Sequence, residues 1–218
     1  MKNANFRGLH VLADDDARWK HDPVAQAEAA CRGGAQVIQL RAKSTPDTRA
    51  LEWARKIRAL TRACGALFVV NDRFDLALEA EADGVHLGQE DLSPLSIPAE
   101  ARSRLAIGRS THTMEQIASA RSEPVDYLAF GPVFGTESKI SKYGPRGLDR
   151  LRQAARMAAP RPLVAIGGID ATNLGDVIRN GAQGIAVISA VAGTPDPQAA
   201  TRQFVSVLAE IQGSPLRE

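Results

Sequence analysis

Cysteine is nearly absent: the 218 residues hold two, Cys31 and Cys64, each inside a helix-like stretch. Thiols so placed read as buried side chains rather than as a bridge or a reactive group. Aromatic residues are scarce too, at 5%, and an interior of Ala, Val, Leu and Ile suits an α/β enzyme better than a β-sandwich. Neither sign of charge dominates, because 27 Lys and Arg face 25 Asp and Glu. A general nucleic-acid binder needs a basic face to meet phosphates, so that class is excluded. No apolar run approaches the ~20 residues of a bilayer span. The opening MKNANFRGLHVLADDD has neither the long apolar stretch nor the small-residue cleavage site of a signal peptide. No GxGxxG follows the first apolar run, and no Ser–His–Asp or Cys–His arrangement is legible, so neither dinucleotide binding nor a covalent nucleophile is indicated. The expectation is a cytoplasmic, soluble, single domain over 1–218, with 213–218 a frayed tail.

What is present is a recurring unit. Short apolar runs begin at Gly8, Gln36, Ala66, Gly84, Leu105, Tyr127, Pro162 and Gly184. They are near-continuous rather than alternating, as in parallel strands buried on both faces. Helical periodicity fills the gaps. Ala50, Trp53, Ile57 and Leu60 form one stripe within Arg49–Thr61, which reads as a packing face. Asp22-Pro23 caps a helix that Gly33-Gly34 ends, and Pro46-Asp47, Asn173 and Pro195-Asp196-Pro197 mark further boundaries. Between Asp91 and Leu105, Pro94 and Pro98 allow one short helix at most. Eight strand–helix units predict a TIM (β/α)8 barrel, ahead of an open doubly wound sheet.

Polar residues gather at the C-terminal strand ends, where such a barrel keeps its active site. Gln39, Arg41 and Lys43 follow strand two at i, i+2 and i+4, so an extended chain points all three one way. Two cations side by side in a barrel need an anion between them. A phosphate or pyrophosphate fits a planar guanidinium and a point charge, and pairing with local carboxylates such as Asp14 is the alternative. Asn71 and Asp72 end strand three and Asp91 ends strand four. Two neighbouring carboxylates share a proton or hold a cation, and an all-oxygen ligand set suits Mg²⁺. The competing reading makes each Asp a helix N-cap.

The run after strand six, GPVFGTESKISKYGPRG, sets Lys139, Lys142 and Arg146 against Glu137, as a lid or clamp or else a solvated basic loop. Gly167-Gly168 after strand seven and Ser189 after strand eight occupy the recurrent phosphate position of the fold. Among four histidines, His21 reads as surface, His10 and His86 as packed within strands, and His112 as the one placed to reach the site. Together these residues describe two anion-binding regions and one Mg²⁺, for chemistry on a diphosphate ester and a second, phosphorylated substrate.

The ordered motifs QLRAK, VVNDRFDLAL, ADGVHLGQEDL, GRSTH, GPVFGTESK, VAIGGI and GIAVISA resemble the thiamine-phosphate synthase family from about Gly8 to Ala192. The resemblance implies a TIM barrel transferase of thiamine biosynthesis that couples a hydroxymethylpyrimidine diphosphate to a thiazole phosphate. Pyrophosphate is released by a dissociative, Mg²⁺-assisted substitution. By motif, Gln39, Arg41, Lys43 and Asn71 would bind the pyrimidine diphosphate, and Asp72 and Asp91 would hold Mg²⁺. Ser110 and Lys139 would contact the diphosphate and the leaving pyrophosphate. Thr136, Glu137, Ser138, Gly168, Ile188 and Ser189 would surround the thiazole phosphate. Arg41, Lys43, Ser110 and Lys139 carry the implied catalytic roles. Family members commonly have Thr-Pro-Thr-Lys where this chain has Thr136-Glu137-Ser138-Lys139, so the hydroxyls and lysine persist while Glu137 adds a charge. A thiazole tautomerase on the same barrel and a silent thiamine-phosphate-binding paralogue are the rivals. Lys139 with Asp72 and Asp91 favours the synthase. Expected partners are the two small substrates, with no nucleic acid or membrane, and a homo-oligomer is allowed.

Overall fold

The structure, a computed structural model, describes residues 5–136, 138 and 142–213. Eight parallel strands close into a barrel in chain order: β1 (Gly8–Asp14), β2 (Val37–Arg41), β3 (Leu67–Asn71), β4 (Gly84–Leu87), β5 (Ala106–Thr111), β6 (Tyr127–Phe130), β7 (Leu163–Ile166) and β8 (Gly184–Val187). β8 pairs back onto β1, so no sheet edge remains. The expected TIM barrel is the fold found. The outer shell comprises α1 (Pro23–Gly33), α2 (Asp47–Cys64), α3 (Phe74–Glu79), α4 (Ala99–Arg104), α5 (Met114–Ala120), α6 (Gly147–Ala158), α7 (Leu174–Arg179), α8 (Ser189–Ala192) and α9 (Pro197–Gly213). Between Asp91 and Leu105 the chain makes a 3₁₀ turn, Pro94–Ser96, and one short α-helix, α4. No described helix is long and apolar enough to cross a membrane.

Local chemistry sets these boundaries. Asp22 accepts the Ala25 N–H at 2.9 Å and Pro23 opens α1; Asp196 accepts the Ala199 N–H at 2.9 Å at the start of α9. Each capping bond satisfies a donor the helix cannot. Strand alternation divides the interior into two layers. Leu9, Val11, Ile38, Leu40, Phe68 and Val70 face the helices, while Leu12, Val37, Val69, Tyr127, Ala129 and Val164 face the barrel axis. The floor is aromatic: the Phe6 and Tyr127 rings stack with centroids 4.7 Å apart. Gly108 makes room for this, since a β-carbon there would lie 2.2 Å from Tyr127 Cζ.

Above that floor His10 is buried, with Nε2 2.9 Å from the Phe6 carbonyl. A carbonyl only accepts, so Nε2 carries the proton. Burial pushes the imidazole down to about 4, against the pull of that carbonyl. The unfolded chain takes up a proton near 6.5 and the folded chain only near 4. The stability associated with neutral His10 is therefore intact above pH 6.5 and declines as the pH falls toward 4, amounting to about 2 kcal/mol lost by pH 5. Urea unfolding at pH 7 and pH 5 checks this. His10→Gln, whose amide can donate to the same carbonyl, should lack that part of the acid dependence.

Three expectations need correction here. β2 ends at Arg41, so Lys43 lies in the following loop and not on the strand. Its backbone N–H instead donates to Asp15 Oδ1 at 2.9 Å. The cysteines are not two separately buried thiols. Cys64 is exposed, Cys31 is half-buried, and they adjoin each other; burial and then the neighbouring Cys64 thiol push the Cys31 thiol up. Neither Asp72 nor Asp91 caps a helix. Arg73 occupies the cap position of α3, and Ser93 caps the 3₁₀ turn through Oγ. Of the expected tail, Gly213 is the last residue of α9, and 214–218 lie outside the described residues.

Candidate active site

The C-terminal strand ends open into one cavity of about 430 Å³. Gln39, Arg41, Lys43, Asn71, Asp91, Ser110, Thr136, Ser138, Gly168, Ile188 and Ser189 all line it. Strand phase explains the first of these. Gln39 and Arg41 share the axial face of β2, and Asp14 lies opposite Arg41 on β1. Glu137 and Lys139 lie outside the described residues.

One wall is charged. Arg41 Nη1 donates to Asp14 Oδ2 at 2.8 Å, with the Asp14 side chain fully enclosed. Lys43 Nζ donates to Asp72 Oδ2. The two cations thus pair with local carboxylates, the alternative that sequence alone left open, rather than standing unpaired. Asp15 joins the wall from below, accepting the N–H groups of Lys43 and Ser44 at 2.9 and 2.8 Å. Burial works against the Asp15 charge, but these backbone donors and Thr45 hold its carboxyl below the usual range.

Asp72 and Asp91 lie within hydrogen-bonding reach of one another. The backbone of Asp72 adopts φ 66°, in the left-handed region where Asp is among the more tolerant residues. Its N–H donates to the His86 carbonyl at 2.7 Å. Asp91 Oδ2 accepts the Gly88 N–H at 2.6 Å. Burial first, and then the Asp91 carboxyl, push Asp72 up to about 6, against the opposing pull of Lys43. Two acids held together at this cost are a cation-binding arrangement or a proton-sharing pair.

The opposite wall is rich in glycine and hydroxyl groups among the described residues, with Thr136, Ser138, Gly167, Gly168 and Ser189 lining it. Gly167 and Gly168 have φ 101° and 63°. A β-carbon on Gly168 would lie 2.4 Å from the Gly135 carbonyl and 2.7 Å from Phe134 Cβ, so the turn after β7 packs directly under the loop after β6. Asn173, which reads as a helix boundary, makes no side-chain cap. Its Nδ2 donates to the Gly168 carbonyl at 2.9 Å and braces this turn. Ser138 Oγ and Ser189 Oγ are 2.7 Å apart.

Between the walls lies a residue that sequence reading assigned to packing. His86 lines the cavity, with Nδ1 3.0 Å from the Tyr127 hydroxyl and Nε2 2.9 Å from Ser110 Oγ. His86 thereby fixes Ser110. His112 also lines the cavity, as expected. Its Nδ1 donates to the Gly131 carbonyl at 2.6 Å, and its ring stacks on Tyr143 at 4.2 Å and 19°. Gln116 Nε2 donates to the Tyr143 hydroxyl at 3.1 Å, Arg146 lies 4.9 Å over that ring, and Lys142 pairs with Glu90 at 2.7 Å. Tyr143 therefore ties the described part of this loop, 142–146, to His112 and Gln116 at the cavity rim. An aromatic stack contributes about 0.5–1.5 kcal/mol, so Tyr143→Ala is expected to raise the KM of a substrate by up to about tenfold. The melting temperature should barely move. Unchanged steady-state kinetics would show that the stack does not close the site.

The family model described as thiamine monophosphate synthase matches residues 9–191. A thiamine-phosphate synthase of Anaeromyxobacter dehalogenans is 45% identical over 203 residues, covering 93% of this chain and 88% of that protein. One from Chloroflexus aurantiacus is 41% identical over 204 residues, 94% of each. Among solved structures, the thiamine phosphate pyrophosphorylase of Pyrococcus furiosus superposes with a TM-score of 0.84 at 38% identity, over 94% of this chain and 97% of that one.

Proposed function

The chain belongs to the thiamine monophosphate synthase family, and on that premise we propose that its barrel mouth joins a hydroxymethylpyrimidine diphosphate to a thiazole phosphate, yielding thiamine phosphate and pyrophosphate. It is a transferase. The observation that supports this most is the contrast across the barrel mouth: Arg41 and Lys43, paired with Asp14 and Asp72 behind them, line one side of the cavity, and glycines and hydroxyls line the other. A diphosphate needs charge neutralised, whereas a phosphate monoester can be met by backbone N–H and hydroxyl donors.

Asp72 and Asp91 would hold Mg²⁺. They are adjacent oxygen donors, and no group of three His, Cys, Asp or Glu side chains suited to a metal occurs among the described residues. That suits an ion which takes one or two carboxylates and completes its shell with water and substrate phosphates. When bound, it neutralises charge on the diphosphate oxygens.

The remaining work belongs to the chain. Arg41 and Lys43 would donate to the diphosphate, and Lys139, outside the described residues, would join them. Gln39 and Asn71 would orient the pyrimidine. Ser110, held by His86, would donate to the diphosphate. Thr136, Ser138, Gly168, Ile188 and Ser189 would hold the thiazole phosphate, beside Glu137. As the carbon–oxygen bond breaks, the electron pair leaves with pyrophosphate, and the pyrimidine methylene becomes a resonance-stabilised cation that the thiazole nitrogen attacks. Preorganised donors around the departing charge lower that barrier, and no side-chain nucleophile is required.

Pyrimidine diphosphate labelled with ¹⁸O at the bridging position tests this mechanism. With an unreactive thiazole phosphate analogue bound, ionisation and return should scramble label into the non-bridging oxygens. Retention of the label at the bridging position of the recovered diphosphate, with the analogue bound, would favour direct displacement. Isomerisation of a thiazole phosphate without pyrophosphate release would instead identify a tautomerase.

A further inference from the structure

Arg109 lies on the helix-facing side of β5, between Gly108 and Ser110, and its side chain is only 8% exposed. It reaches the loop that carries Asp91. Nη1 donates to the Gly88 carbonyl at 2.6 Å. Its Nε lies 3.5 Å from Glu123 Oε2, and neither of those two atoms has a hydrogen-bond partner among the described residues. A buried guanidinium with a half-engaged counter-ion is a poor way to gain stability, because desolvating both charges costs more than a loose pair returns. The placement asks for another explanation.

Gly88 supplies one. Its N–H donates to Asp91 Oδ2, and the Asp91 N–H returns to the Gly88 carbonyl at 3.4 Å. A β-carbon on Gly88 would lie 2.9 Å from that carboxylate, so the two residues fit with little slack. The next residue, Gln89, donates from Nε2 to the Ser110 carbonyl at 2.5 Å. The first two residues of the loop are thus tied to β5, one by Arg109 from the outer face and one through the backbone of Ser110.

We propose that Arg109 is a positioning residue for the divalent cation of this enzyme: by clamping Gly88 it fixes the Asp91 carboxylate in the orientation that binds the ion. The inference rests on the reading of Asp72 and Asp91 as the Mg²⁺ site. It also makes a prediction of sign. If Arg109 acted only as a nearby positive charge, removing it would strengthen cation binding by Coulomb's law. If it acts as a clamp, removing it weakens binding.

The test is Mn²⁺ binding to the full chain in the presence of inorganic pyrophosphate, followed by electron paramagnetic resonance. Arg109→Met alone would strand Glu123 and risk unfolding, so the informative variant is Arg109→Met with Glu123→Gln, which removes both charges. Losing an outer-shell partner typically weakens a metal site 10–100-fold, and because Arg109 acts through Gly88 we expect about a tenfold weaker Mn²⁺ affinity. Glu123→Gln alone keeps the Gly88 bond and should weaken Mn²⁺ binding much less than the double variant does. Unchanged or tighter Mn²⁺ binding in the folded double variant would overturn the proposal, provided Asp91→Asn weakens it. If Asp91→Asn itself binds like wild type, the metal reading fails and takes the proposal with it.

Discussion

Asp91→Asn is expected to lower kcat/KM at limiting Mg²⁺ by about 10²–10³, the scale seen when one preorganised charge stabiliser is removed, while the melting temperature holds or rises. The opposite signs are the point. Asn keeps the shape of the side chain, and its amide oxygen can still accept the Gly88 N–H, so the loop is retained. What is lost is one of two acids held together, where burial first and then the Asp91 carboxyl push Asp72 up to about 6 against the pull of Lys43. Relieving their repulsion favours the folded state while removing half of the proposed ligand set. Asp72→Asn should cost activity similarly, and Asn tolerates the left-handed backbone at this position. It would, however, leave Lys43 without its carboxylate. Steady-state rates across a Mg²⁺ series, with calorimetric melting of the same preparations, decide this. Full activity in both variants at low Mg²⁺ would leave the pair a structural feature.

Arg41→Met should do damage of two separable kinds. The Asp14 carboxylate is fully enclosed, and Arg41 is its counter-ion at 2.8 Å. Breaking a buried pair from one side costs about 3–5 kcal/mol, which lowers the melting temperature of a chain this size by roughly 10 °C. Adding Asp14→Asn removes the stranded charge and should recover most of that loss. Activity should not follow. A hydrogen bond to a charged group is worth about 1.5–3 kcal/mol, so both the single and the double variant should have kcat/KM for the pyrimidine diphosphate lowered by about 10²-fold. Recovery of activity along with stability would make Arg41 a purely structural residue.

The barrel was legible because parallel strands buried on both faces read as apolar runs, and all eight runs became strands. The concentration of polar residues at one strand end likewise coincides with the cavity found there. Detail failed where it depended on register or packing rather than on local pattern. Sequence could not choose between an anion and Asp14 as the partner of Arg41, because that choice follows from the lateral pairing of β1 with β2. Lys43 was read as the end of a strand that stops two residues earlier. His86 was assigned to packing because it sits mid-strand, although strict alternation along β4 places it on the axial side with Gly84 and Gly88, a signal available in GVHLG. The bracing of Gly168 by Asn173 and the space that Gly108 leaves for Tyr127 are tertiary facts with no local signature.

The most direct measurement is a single turnover with enzyme in excess over ³²P-labelled pyrimidine diphosphate, quenched in time, with thiazole phosphate and Mg²⁺ present. We expect pyrophosphate and thiamine phosphate to appear together in equal amounts, and both to vanish when Mg²⁺ is chelated. Recovery of the diphosphate intact, or release of pyrophosphate without thiamine phosphate, would contradict the assignment of this cavity to the condensation.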